Sequence, residues 1–127
     1  MLYVTWEYYS SLYDTVAEGD FQRLCTKASA KLDVYTHLRT QGFEDSYEPE
    51  SATPFETQVH IQIQNTTCEL INLMSVQDTA GVGTGISSAS NDGYFESYKV
   101  TTQAEKEVEL VSLIRQGLSG TGLAGAL

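Results

Sequence analysis

The sequence predicts a mainly α fold: a small bundle of about four helices, a β-hairpin before the last helix, and an extended C-terminal tail. Three observations carry that expectation. Phe21, Leu24, Cys25, Ala28, Leu32 and Tyr35 recur at helical spacing. Thr53-Pro54-Phe55-Glu56 and Thr102-Gln103-Ala104-Glu105 each write a helix start, with Thr followed three places later by Glu. Asn91-Asp92-Gly93 lies between two strand-like runs and supplies residues that tolerate positive φ, as a tight hairpin requires.

Taken in order, Thr5 caps a short helix over 6–14, where Glu7 suits the positive helix end and Trp6, Tyr9 and Tyr13 share a face. Such a helix is too short to stand alone and must be held by packing. Gly19-Asp20 punctuates the chain. Asp20 caps a long helix over 21–38, His37 and Arg39 suit its C-terminus, and Gly42 is a stop. Residues 40–53, with Glu44, Asp45, Glu48, Pro49 and Glu50, read as a solvated acidic loop.

From Thr53 a second long stripe runs to 76 through Phe55, Val59, Ile63, Thr66/Thr67, Leu70, Leu73 and Met74. Val59-His60-Ile61-Gln62-Ile63 alternates as a strand would, but the capping box and the length of the stripe favour helix. Ala80 to Gly85 breaks it. Ile86–Ser90 and Tyr94–Val100 form a two-stranded ribbon that needs cover from helices or a neighbouring chain. A last helix runs to 116 with Ala104, Val108, Val111 and Ile114/Arg115 tracing its face, Leu110 and Leu113 widening it, and Gly117 ending it. Residues 118–127 are rich in glycine, uncharged and dotted with leucine. With no charge to solvate it, this tail reads as an extended segment packed on something. The chain thus divides into a helical domain, 1–117, and a tail, 118–127.

Composition restricts the function. The 127 residues suit one domain, and 7 Lys+Arg against 17 Asp+Glu give a net charge of −10. That balance argues against gripping nucleic-acid phosphates or an anionic membrane surface. No apolar run approaches the ~20 residues of a membrane span, and Met1 to Trp6 lacks the basic start of a signal peptide. Two cysteines, Cys25 and Cys68, are too few for a disulfide scaffold and lie on or beside core stripes, which reads as buried thiols in a reducing compartment.

No constellation assembles a catalyst, a metal site or a cofactor site. His37 and His60 stand at no ligand spacing with the cysteines. Gly81-Val82-Gly83-Thr84-Gly85 follows a helix and precedes a strand, the reverse of a nucleotide-binding loop. Ser87, Ser88 and Ser90 lack a nucleophile elbow. Glu105, Glu107 and Glu109 suit the solvated start of a helix. The eight tyrosines, clustered at Tyr3, Tyr8, Tyr9, Tyr13 and at Tyr94, Tyr98, suit either a core or a protein interface. The basic neighbours that nucleic-acid stacking requires are absent.

Several strings resemble one family. They are Tyr3-Val4-Thr5-Trp6-Glu7-Tyr8-Tyr9, the run Phe21 to Ser29 with Leu32-Asp33, the hairpin Gly85 to Tyr94, and Leu118-Ser119-Gly120-Thr121-Gly122-Leu123. In this order they resemble the head–tail connector (adaptor, or head-completion) proteins of long-tailed double-stranded-DNA bacteriophages. The resemblance covers most of the chain. It departs at Ala124-Gly125-Ala126-Leu127, where family tails often carry an aromatic and a basic residue, and in the acidic loop 44–50. It implies a non-enzymatic virion protein of the capsid–tail neck, assembled in the host cytoplasm as a ring of about twelve copies under the portal. Its implied partners are the portal, neighbouring copies, the next neck or tail-completion protein, and DNA passing through the lumen unbound.

Two placements follow. Leu118, Ser119, Gly120, Thr121, Gly122, Leu123 and Leu127 are expected to dock in a portal groove. The hairpin, through Ile86, Asn91, Asp92, Gly93, Tyr94, Phe95 and Tyr98, is expected to reach an adjacent subunit or the tail-side partner. Acidic side chains facing the lumen would repel phosphate and let DNA slide. The rival class is a monomeric acidic helical module outside a virion, binding a basic protein through loop 44–50.

Overall fold

The computed structural model describes residues 1–81 and 103–124, and these residues form five α-helices and no strand. In chain order they are α1 (Trp6–Leu12), α2 (Glu18–Tyr35), α3 (Arg39–Ser46), α4 (Pro54–Gly81) and α5 (Gln103–Gly117). The mainly helical class is therefore as the periodicity predicts. The hairpin over 86–100, with Ile86, Asn91, Asp92, Gly93, Tyr94, Phe95 and Tyr98, lies outside the described residues.

α4 is the central helix. It packs along both α2 and α5, which also touch each other, while α1 and α3 lie against α2. At 28 residues α4 is roughly 40 Å long. Its start is the capping box read from the sequence: the Thr53 amide donates to Glu56 Oε1 at 2.9 Å and the Glu56 amide donates to Thr53 Oγ1 at 3.1 Å. That reciprocal pair settles the helix–strand conflict over 59–63, because two otherwise orphaned amides are satisfied only in the helical start. Thr53→Ala is expected to cost about 1 kcal/mol, read as a lower urea midpoint with an unchanged slope.

Val59, Ile63, Thr66, Thr67, Leu70 and Met74 are buried along α4, as the stripe predicts. Cys68 and Ile71 are buried as well, because a helix with neighbours on several sides is covered around much of its circumference. Phe55, which the stripe includes, is 59% exposed in the first turn.

α2 buries Phe21, Leu24, Cys25, Ala28, Ser29 and Leu32. It starts earlier than the punctuation suggests: Ala17 is the N-cap, without a side-chain bond, and Asp20 sits inside the first turn. There, with Glu18, it favours the helix dipole instead of capping. α2 also ends earlier, at Tyr35. His37 and Leu38 turn the chain with φ of 55° and 65°, and α3 begins at Arg39. The expected acidic loop over 40–53 is thus corrected. Its first half is helix, with Gly42 inside it, and only 47–53 is loop. Tertiary contacts hold this weakly amphipathic helix: Thr40 is fully buried, and its hydroxyl bonds that of Thr36 at 3.0 Å.

α5 requires a second correction. Its buried face is Leu110, Ile114 and, just beyond its end, Leu118, whereas Val108 is 66% exposed and Ala104 faces solvent. The helix carries two apolar stripes, and the one with leucine and isoleucine faces the core because it buries more area.

Candidate functional site

The chain after α5 folds back as a compact knuckle, so the expected extended tail is corrected for residues 118–124. The Leu118 amide continues the helical bonding to the Ile114 carbonyl, and the Thr121 amide returns to the Leu118 carbonyl at 3.1 Å. Gly120 and Gly122 adopt φ of +82° and +80°, a backbone open to glycine at no steric cost, which turns the chain twice within five residues. The Thr121 hydroxyl donates to the Leu118 carbonyl and accepts from the Leu123 amide. Arg39 Nη1 donates to the Leu123 carbonyl at 3.4 Å, and Gln62 Nε2 holds the carbonyls of Gly117 and Ser119.

As a result Leu118 (1% exposed) and Leu123 (9%) are core residues of this chain. The surface of the knuckle is Ser119, Gly120 and Gly122, with Thr121 half-buried, and Leu127 lies outside the described residues. The described docking residues, 118–123, are brought together, but Leu118 and Leu123 point inward.

The tyrosines tie the N-terminal segment to the long helices. Tyr8 donates to Asn65 Oδ1 at 2.6 Å, Tyr9 to Asn72 Oδ1 at 2.5 Å and Tyr13 to Glu69 Oε2 at 2.6 Å, three acceptors on one face of α4. Tyr3 donates to Asp33 on α2, and Tyr35 donates to Glu107 on α5. Trp6, Tyr9, Tyr13 and Phe21 form a ring cluster with centroids 5.4–5.9 Å apart. These rings are thus spent on packing, the core alternative left open by composition. Burial together with the neighbouring Asp33 and Glu69 carboxylates pushes the Tyr3 and Tyr13 phenols far up, so both stay protonated donors.

Burial also pushes the Cys68 thiol up to about 12 and raises that of Cys25. Both cysteines are free and buried, as protonated core groups without nucleophilic character at neutral pH. Among the described residues no group of three or more His, Cys, Asp or Glu side chains is placed to hold a metal ion, and no helix is long and apolar enough to cross a membrane.

Among the described residues, three surfaces stand out. The first is the outer face of α5, with Ala104, Val108 and the half-buried Val111. The second is the turn after α3, where Glu48, Pro49 and Glu50 are exposed. Behind that turn His60 Nδ1 lies 2.8 Å from Glu44 Oε2, and its ring stacks on Tyr47 with centroids 4.3 Å apart. The third is a cleft of about 450 Å3 where α2, α4 and α5 meet, with Lys27, Lys31 and Lys106 around Val34, Met74 and Leu110. Sequence reading missed the cleft because its lysines lie on two helices far apart in the chain. The signal was scarcity, since three of only four lysines converge here.

Within the cleft Lys31 Nζ meets Glu107 Oε1 at 2.7 Å, so Glu107 faces a partner and not open solvent as expected. Hydrogen bonds from Lys31 and Tyr35 hold its carboxyl below the ordinary value of 4.5. A carboxylate depressed in the folded state stabilises the fold fully above that ordinary value and ceases to as pH falls through the lower, folded one. Glu107→Gln is therefore expected to lower the urea midpoint at neutral pH and to narrow its difference from wild type as pH falls below the ordinary carboxylate value.

No family model, no curated protein and no solved structure matches the chain.

Proposed function

We propose that this protein is a head–tail connector of a long-tailed double-stranded-DNA bacteriophage, a structural ring component that joins the portal to the next neck protein and continues the DNA channel. The observation that carries the reading is the ordered set of strings: Tyr3–Tyr9 at the start, Phe21–Ser29 on the first long helix, Gly85–Tyr94 before the last helix, and Leu118–Leu123 at the end.

The geometry supports it in two ways. α5 carries an outward apolar stripe at Ala104, Val108 and Val111, a face suited to a neighbouring copy. The net charge of −10 suits a wall past which DNA slides without sticking. On this reading Ser119, Gly120 and Gly122 meet the portal as a preformed knuckle, with Leu118 and Leu123 as its anchors. The hairpin 86–100 meets an adjacent subunit or the tail-side partner. No catalysis, cofactor or membrane is involved, and the site of action is the virion neck.

The test is negative-stain imaging of the protein mixed with its portal. An added ring layer is the expected result. A chain that stays monomeric and adds no layer would instead favour an acidic binding module acting through Asp45, Glu48 and Glu50.

A further inference from the structure

In a chain of net charge −10, three of the four lysines line the cleft between α2, α4 and α5. Lys31 is neutralised there by Glu107. Lys27 and Lys106 are not: among the described residues neither ammonium meets a carboxylate. Their apolar surroundings, Val34 (63% exposed), Met74 and Leu110, form a greasy floor between two positive charges. A fitting occupant carries two carboxylates flanking a small apolar group.

Two stretches of the chain have that form, Glu48-Pro49-Glu50 and Glu107-Val108-Glu109, and in the second Glu107 is already paired with Lys31 of its own molecule. Glu48-Pro49-Glu50 is exposed on a turn closed by the Ser51 amide donating to the Glu48 carbonyl at 3.1 Å. The turn is already folded, so presenting it costs little ordering entropy. It cannot reach the cleft of its own molecule. The turn directly precedes Pro54, at the start of α4, while the cleft is built on Met74 and Gln77 near the other end, about 30 Å away along a continuous helix.

We infer that the Lys27–Lys106 cleft receives the Glu48-Pro49-Glu50 turn of a second copy of this chain, a head-to-tail contact that joins successive subunits. Such a contact is heterologous: each copy offers a cleft at one end of α4 and a turn at the other, so repetition closes a ring or runs on as a filament. The inference specifies a subunit contact of the ring proposed above and rests on that reading. A surface contact between opposite charges also weakens with salt.

The test mixes isotopically light and heavy wild-type protein, alone and on portal rings, and joins touching ammonium–carboxylate pairs with a zero-length carbodiimide. Mixed light–heavy peptides linking Lys27 or Lys106 to Glu48 or Glu50 are the expected result. K27E/K106E and E48K/E50K are each expected to weaken self-association about tenfold or more, and an equimolar mixture of the two to restore it, because the reversed charges again match. The inference is overturned if wild type gives no such mixed links in either setting, or if self-association survives either charge reversal undiminished. It is equally overturned if K27E/K106E leaves self-association intact while abolishing the portal layer, since the cleft would then serve the portal. A portal layer without these links leaves the connector reading standing and removes only this contact. Links without a portal layer do the opposite.

Discussion

Deleting residues 118–127 is expected to unfold much of the bundle, a larger effect than the loss of a docking peptide. Leu118 and Leu123 are buried in the core, and Gln62 and Arg39 bond carbonyls of the same segment. Removing a buried leucine costs about 2–5 kcal/mol, and two such losses approach the whole stability of about 5–15 kcal/mol that small domains possess. Far-UV circular dichroism with urea titration measures this, and a truncated chain as stable as wild type would mean that the knuckle is not structural. The consequence for function is practical. Portal binding lost on truncation does not identify a docking tail. Ser119→Arg, at an exposed position, probes the surface without touching the core.

Gly117→Ala is expected to destabilise by about 2–3 kcal/mol, near the upper range for overpacking. A Cβ there would sit 2.1 Å from Thr66 Oγ1, 2.8 Å from its Cγ2 and 2.9 Å from its Cβ. Thr66 cannot swing away, because it is β-branched, 2% exposed and fixed on the central helix. α5 therefore has to lift from α4, which loosens the packing of Ile114 and Leu118 as well. Thermal melts check the single change. Thr66→Gly reopens the space, so Gly117→Ala combined with Thr66→Gly is expected to be more stable than the sum of the two separate losses. Strict additivity would show that the close approach is not the cause.

Much of this architecture is readable from the chain, and the exceptions have physical reasons. Two local devices are legible in the chain because they close on themselves: the Thr53–Glu56 box and the Thr5 cap, whose hydroxyl accepts from the Tyr8 amide at 3.1 Å, use partners three residues apart. The stripe on α2 was visible because one face alone is apolar. On α5 the reading includes Leu110 and Ile114, which are buried, alongside Ala104 and Val108, which are exposed, because periodicity does not say which of two apolar stripes meets the core. α3 was hidden because its stabilising partners, Thr36 and His60, lie outside it. In the tail, the lack of charge and the leucines pointed to packing on a surface. What they do not encode is whose surface, and the knuckle places Leu118 and Leu123 on this chain's own core. The lysine cleft was hidden because side chains of α2 and α5 meet only once the bundle forms.

The phenol bonds of α1 have a kinetic consequence. A protein this helical would ordinarily fold fast, since helical contacts are local. The seven residues of α1 are too few to form a helix alone, and the bonds of Tyr8, Tyr9 and the C-cap Tyr13 to Asn65, Asn72 and Glu69 span 57, 63 and 56 residues of chain. These loops must close before the bonds gain anything, and α4 must already present its acceptors in helical register. α1 is therefore expected to dock late, onto a template that α4 has already formed. Among the described helices, the one that comes first along the chain is thus expected to take its place last.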